Sequence, residues 1–319
     1  MMNQHNPFAK ENLEQHSEQH SEQYNQSSPY YPPTMRKKKN IWPWIAGAAA
    51  VLAIIVISIL TSGQNNRQME MVAAEGEQVA VLYVEGTLSL NSDASDNYNH
   101  QYILDTVDRL MNDPQNVGLL LYLDSPGGEL IAGDELARKF SEYQQKTGRP
   151  LYAYGHSMLA SGAYWAACSA DKVILNRYCL TGSIGVTYGT LLDFSGLLEK
   201  YGVKATHIDS GKNKGMGDML VGMTAEQVAI LQTLIDEYYQ CFVDVVAAGR
   251  GLAQTTVRTL ADGRVYSATQ AVDNGLADQV AYYEEALAEF RIVCGVSEEA
   301  VCKYRYEPAT DLWSLLGTE

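Results

Sequence analysis

Met158-Leu-Ala-Ser-Gly-Ala-Tyr-Trp165 is the stretch from which the rest of the chain is read. Ser161 sits between small residues, with apolar residues on both sides. Upstream, Leu151-Tyr-Ala-Tyr154 predicts a short strand and Gly155-His156-Ser157 the turn after it. Downstream, Gly162 to Ser169 is rich in alanine and aromatics and predicts a buried helix. A serine at such a junction lies at a helix N-terminus, where its Oγ can be exposed beside outward-pointing N–H groups. That suits a nucleophile. It also suits an N-cap serine, much the commoner case for one such stretch taken alone.

Working outward, strands and helices alternate. Val79-Ala-Val-Leu-Tyr-Val84 and Val117-Gly-Leu-Leu-Leu-Tyr-Leu123 predict buried strands. Between them Tyr102 to Asn112 carries Ile103, Val107 and Leu110 on one helical face. Asp124-Ser-Pro-Gly-Gly128 joins the second strand to a helix over Glu129 to Gln145. Glycine there lets a ligand approach the backbone, and the free N–H groups suit an oxyanion, although an ordinary strand-to-helix turn reads the same way. Further along, Lys172-Val-Ile-Leu175 and Ala205 to Ile208 predict strands, Phe194 to Tyr201 a helix, and Thr181-Gly-Ser-Ile-Gly-Val186 a glycine-dense loop leading into a strand. Thr224 caps a long helix to Ala248, with Gln227 at the capping-box position. A short strand is expected near Asp278 to Val280. The pattern is that of an α/β domain with largely parallel pairing and no internal repeat.

A serine nucleophile needs a base. His100, His156 and His207 are the histidines of this region, and surface or satisfied-core roles suit all three better. Lysine is the other base found with serine, and it must be neutral, which requires burial or a neighbouring cation. Lys212 and Lys214 lie in the loop Ser210-Gly-Lys-Asn-Lys-Gly-Met-Gly-Asp218, whose glycines allow close approach to another surface. Taken singly, each reads as a solvated loop charge.

The chain of 319 residues has a formal net charge of -15. Residues 1–40 are net +1, so the remainder is at -16, which argues against nucleic acid as a partner. Residues 1–34 are polar and almost free of aliphatics and are expected to be disordered; His5, His16 and His20 belong to that bias rather than to a metal site. Arg36-Lys-Lys-Lys39 precedes an uncharged apolar run, Ile41 to Leu60, at roughly the length a helix needs to span a bilayer. Trp42 and Trp44 stand at its start, and Pro43 falls in the first turn. The basic cluster predicts the N-terminus in the cytoplasm and the rest outside. Five cysteines are scattered without metal spacing. Outside the membrane Cys294 and Cys302 could pair; Cys168, Cys179 and Cys241 read as small buried apolar residues.

Five motifs then occur in one order: Asp124-Ser-Pro-Gly-Gly128, Ala160-Ser-Gly-Ala-Tyr164, Thr181-Gly-Ser-Ile-Gly-Val186, Ser210-Gly-Lys-Asn-Lys214 and Asp262-Gly-Arg-Val-Tyr266. As a set they resemble the S49 serine peptidases, the signal peptide peptidase family, in its short single-repeat form, over roughly residues 78–282. The resemblance implies a ClpP/crotonase-like α/β fold preceded by one transmembrane helix. By position, Ser161 matches the nucleophile, Lys214 the general base, Gly127 and Gly162 the oxyanion-hole donors, and Ser183 a serine that orients the lysine. Ala163 and Trp165 stand where the family pattern has glycine and tyrosine, and they are expected to narrow the substrate cleft. No cofactor or metal is called for.

The resemblance further implies a ring-like homo-oligomer, with serine and lysine drawn from different subunits, and peptide substrates such as signal-peptide remnants. The chain is expected to divide into a cytoplasmic tail (1–40), a membrane anchor (41–62), a linker (63–77), a peptidase domain (78–283) and a C-terminal tail (284–319) with an apolar patch at Leu312-Trp-Ser-Leu-Leu316. Two competing readings are an acyl-CoA enzyme of the crotonase type and a silent peptide-binding scaffold in the membrane.

Overall fold

The computed structural model describes residues 76–91 and 97–308. The expected tail, anchor and most of the linker lie outside the described residues, as does the patch at 312–316. Among the described residues, no helix is long and apolar enough to cross a membrane.

The domain is built on one mixed sheet. Strands β1 (Gln78–Glu85), β2 (Asn116–Ser125) and β3 (Leu151–Ala160) run parallel at its centre. β4 (Lys172–Leu175), β5 (Leu180–Gly182), β6 (Val265–Ser267), β7 (Gln279–Val280) and β8 (Val301–Tyr304) complete it. The order is β6-β5-β3-β2-β1-β8, with β4 and β7 branching from β3. Every pairing is parallel except β5 with β6. The central strands read as unbroken apolar runs because both faces are covered. Ala80, Leu82 and Val84 of β1 enter the larger core with Leu119, Leu121 and Leu123 of β2. Val79, Val81, Leu120, Tyr122 and Tyr154 enter a second core on the other face.

Helices α1 (His100–Asn112), α2 (Leu130–Thr147) and α3 (Gly162–Ala167) follow β1, β2 and β3 in turn. On α1 the buried residues Ile103, Val107 and Leu110 are those the spacing placed on one face. Next come α4 (Ser195–Lys200), α5 (Ala225–Arg250), α6 (Gln254–Leu260), α7 (Ala268–Asp273) and α8 (Tyr283–Cys294). Thr224 and Gln227 form the expected capping box of α5.

Several expectations are corrected. Gly155-His156-Ser157 is not a turn: β3 runs on to Ala160. The strand pairs with β4 over Tyr152–Gly155 and with β5 over Met158–Ala160, so the sheet divides along it. Ala205–Ile208 forms no strand. The domain does not stop at residue 283: α8 supplies Ala286 and Phe290 to the second core, and β8 pairs with β1. Cys294 and Cys302 form no disulfide. The Cys302 Sγ donates instead to Gln78 Oε1 at 2.9 Å. Cys168 and Cys179 are buried as expected, but Cys241 is exposed.

One clasp ties the end of α5 to the sheet. The Arg250 guanidinium donates to Asp278 Oδ1 at 2.6 Å, and Val173 N–H donates to Asp278 Oδ2 at 2.7 Å. Burial pushes the Asp278 carboxyl up, but these two donors outweigh it and hold it below its ordinary value. A carboxylate depressed on folding contributes stability above its unfolded value, near pH ~4, and loses it as the pH falls through the folded value. Urea midpoints of the wild type and Asp278→Asn are therefore expected to differ at pH 6 and to converge on acidification. A gap that is constant from pH 6 to pH 2.5 would contradict this.

Candidate active site

Ser161 follows the last residue of β3 and occupies the N-cap position of α3, yet its side chain makes no capping bond. Its backbone has φ 52° and ψ −127°, and it is one of two non-glycine residues with positive φ among the described residues. Such a conformation costs on the order of 1–3 kcal/mol and persists only where neighbours over-determine it. They do so here. Ser161 N–H donates to Gly182 O at 2.9 Å, and Ser161 O accepts from Trp165 N–H at 2.9 Å. Oγ is left without a hydrogen bond among the described residues. A strained strand-to-helix turn of this kind is a known way to present a serine nucleophile.

The approach to that turn is braced from β2 and β5. Where β3 bulges against β2, Asp124 Oδ1 accepts from Ser157 Oγ and, at 3.0 Å, from Met158 N–H. The buried Thr181 hydroxyl donates to Leu159 O at 2.6 Å. Behind the turn, Tyr164 OH donates to Leu276 O at 2.7 Å. Ala163 and Trp165 are 1% and 4% exposed, and the indole packs on Phe242 of α5 at 5.0 Å. Those two departures from the family pattern therefore face the core and do not narrow a cleft.

The Gly127–Gly128 turn lies directly against Ser161. A Cβ at Gly127 would stand 2.7 Å from both Ser161 Cβ and Gly162 N, and 2.8 Å from Ala160 O. Gly127 itself does not offer a free donor, because its N–H donates to the Ser125 hydroxyl at 3.1 Å. This corrects its expected role. Serine hydroxyls commonly capture the N–H two residues on, so Ser125-Pro-Gly127 carried the signal. The Gly128 N–H makes no hydrogen bond among the described residues and lies 3.7 Å from where a Gly162 Cβ would be. Gly162 is the first residue of α3, and its N–H has no intrahelical partner. Two unengaged donors, Gly128 and Gly162, thus flank Ser161. Leu88 bridges to Gly128 as a short parallel pair, with Leu88 N–H donating to Gly127 O and Glu129 N–H donating to Leu88 O, each at 2.8 Å. Glu129 holds the next residues through Ser89 Oγ and Leu90 N–H, and these two donors keep its carboxyl below the usual range.

Ser183 is the other positive-φ residue, at 50°. It follows Gly182, whose carbonyl receives the Ser161 N–H, and its own N–H donates to Arg264 O at 2.9 Å. Asp262-Gly-Arg-Val-Tyr266 is explained by the same contact. Its last two residues begin β6, which pairs with β5, and the Tyr266 ring leaves no room for a side chain at Gly182.

Lys214 is not brought to this group within the chain. It is exposed, and among the described residues no hydrogen bond or ion pair joins it to Ser161 or Ser183. Lys212 is ion-paired with Glu226 at 2.6 Å. The segment carrying both lysines is largely exposed: α4 buries none of its residues, and Tyr188, Leu192, Leu197, Tyr201, Ile208 and Leu220 face outward. Neither His156, exposed on β3 beside Tyr122, nor the buried His100, bonded to Tyr98 and Glu135, makes a hydrogen bond to Ser161. Among the described residues there is no cluster of histidine, cysteine and carboxylate side chains able to hold a metal.

Comparison with known proteins finds peptidases among the relatives of this chain. The model of the family described as Peptidase family S49 matches residues 143–297. A relative named "Putative protease MJ0651", from Methanocaldococcus jannaschii, is 34% identical over 75% of this chain and 78% of its own length. The "Putative signal peptide peptidase SppA" of Enterococcus faecium is 32% identical over 77% of this chain and 72% of its own. Among solved structures, a ClpP1 mutant from Listeria monocytogenes aligns at 12% identity over 65% of this chain and 94% of that one, with a TM-score of 0.42.

Proposed function

The chain belongs to peptidase family S49, and on that premise we propose that it is a membrane-anchored serine endopeptidase with Ser161 as nucleophile and Lys214 as general base. The observation that carries this is the Ser161 turn, with a strained backbone, an uncommitted hydroxyl and free N–H groups on either side. Neutral Lys214 takes the Oγ proton as the oxygen attacks a peptide carbonyl. The Gly162 and Gly128 N–H groups receive the developing oxyanion, each lowering the barrier by about 3 kcal/mol. The proton passes to the leaving amine, giving an acyl-enzyme. Lys214 then activates water to release the second product. Ser183, one residue beyond the carbonyl that holds Ser161 in place, is positioned to orient the arriving amine.

A lysine base must be desolvated to be neutral at physiological pH. Lys214 is exposed in the single chain, so a neighbouring subunit is the source of its burial, and the dyad forms between chains. The outward apolar residues of 188–220 support a second copy packing there, in a ring-like assembly with a ClpP/crotonase-like protomer. Residues 41–62 anchor the assembly with the N-terminus in the cytoplasm and the catalytic domain outside. Signal-peptide remnants and other membrane-released or unfolded peptides are the substrates.

A fluorophosphonate probe is expected to label the wild type and to leave Ser161→Ala unlabelled. Labelling that survives in Ser161→Ala points to another nucleophile. Absence of labelling in both, with the fold intact, points to a scaffold or an acyl-CoA enzyme.

A further inference from the structure

The loop that carries Lys214 is fastened on both sides of it. On one side, the Gln227 side-chain amide, buried in the first turn of α5, donates to Lys212 O at 3.1 Å. On the other side stands His207. Its Nε2 lies 3.5 Å from Asp209 Oδ1 and its Nδ1 3.4 Å from Asp218 Oδ2, so the ring stands between two carboxylates. The ring and the Asp209 carboxylate together fill the space over Gly215, the residue after Lys214: a Cβ there would collide with His207 Cε1 and stand 2.7 Å from both His207 Nδ1 and Asp209 Oδ2. Between the two fastenings the chain turns tightly, with Lys214 N–H donating to Gly211 O at 3.0 Å and Asp218 N–H to Gly215 O at 3.2 Å. Lys212 pairs with Glu226, and the Lys214 amine makes no hydrogen bond or ion pair among the described residues.

We propose that His207 is a positioning residue for the general base: held by Asp209 and Asp218, it presses on Gly215 and fixes the direction in which Lys214 leaves the loop. This rests on the reading of Lys214 as the base, and deepens it. Sequence alone gave no hint of it, since His207 falls in a stretch that reads as a strand, and its partners are a loop residue two positions on and another beyond the lysines. A loop free to pivot by about 1 Å at Lys214 costs a general base on the order of tenfold to a hundredfold in rate.

The test uses the full chain and a peptide substrate, with His207→Ala, His207→Gln, Gly215→Ala and the His207→Ala/Gly215→Ala double variant beside Lys214→Ala. His207→Ala is expected to lower kcat about tenfold with KM within about twofold, and His207→Gln, which keeps a polar side chain between the carboxylates, to recover part of the loss. Gly215→Ala is expected to be as damaging alone, because its methyl meets the His207 ring and the Asp209 carboxylate. Its effect should shrink in the His207→Ala background, where the ring is gone and only the Asp209 carboxylate, at the end of a side chain no longer facing a ring, stands over the methyl. Wild-type kcat in His207→Ala, or strictly additive losses in the double variant, overturns the proposal while inactive Lys214→Ala leaves the dyad standing. A fully active Lys214→Ala instead removes the dyad and this inference with it.

Discussion

Lys214→Ala and Ser161→Ala chains are each expected to lose peptidase activity by on the order of 10⁴-fold or more, and to regain a substantial part of it when co-expressed. The losses follow from removing the only base or the only nucleophile of a two-residue device. The recovery follows from where the structure leaves the lysine, exposed and unconnected to the serine of its own chain. In a ring built by one repeated heterologous contact, each site takes its serine from one chain and its lysine from the next. Random mixing then pairs an intact Ser161 with an intact Lys214 at about one interface in four, so roughly a quarter of wild-type activity returns. A dyad closed within one chain gives no recovery at any ratio. Mixed rings that form but stay inactive would therefore place the base in the same subunit as the serine, or outside Lys214 altogether.

Much of the fold was legible because the sheet is covered on both faces. Val79 to Val84 and Val117 to Leu123 have no polar residue to confuse the reading, and each is followed by a helix with a one-sided apolar face. β3 was legible only as far as Tyr154. Gly155-His156-Ser157 has the composition of a turn, and what keeps it in the strand is the Asp124 carboxylate, contributed by the neighbouring strand. No local propensity encodes a bond to a residue more than thirty positions away. β8 was missed for a similar reason: Val301-Cys-Lys-Tyr304 is short, and β1 creates its pairing. At the site, the bond from Ser161 N–H to Gly182 O joins the serine turn to the residue before Ser183. The exchange of Gly127 for Gly128 as a free donor was readable in principle from Ser125. The lysine could not be placed from the sequence, and in the structure Lys214 is exposed and makes no hydrogen bond or ion pair to Ser161 or Ser183 among the described residues.

Gly127→Ala is expected to abolish labelling of Ser161 and to lower kcat/KM by at least about a thousandfold, although the Gly127 N–H is itself not free to hold an oxyanion. The added methyl would stand 2.7 Å from Ser161 Cβ and Gly162 N and 2.8 Å from Ala160 O. Two of those three atoms are backbone and cannot swing aside, and the third belongs to the nucleophile. Room can be made only by moving the Ser161 turn off Gly182 or by opening the Gly127–Gly128 turn, and either displaces the Gly162 and Gly128 donors relative to Oγ. The substitution also forces alanine to φ 92°, a cost that must be separated from the collision. Gly148→Ala supplies the control. Gly148 has φ 67°, but nothing stands within 4 Å of its Cβ position, so alanine there pays only the left-handed penalty of roughly 1–2 kcal/mol. Gly148→Ala should unfold at somewhat lower urea and label at the wild-type rate. Gly127→Ala should fail to label even under conditions where circular dichroism shows it folded. Equal labelling of the two variants would mean that the glycine turn does not bear on the nucleophile, and the contact between Gly127 and Ser161 would lose its catalytic meaning.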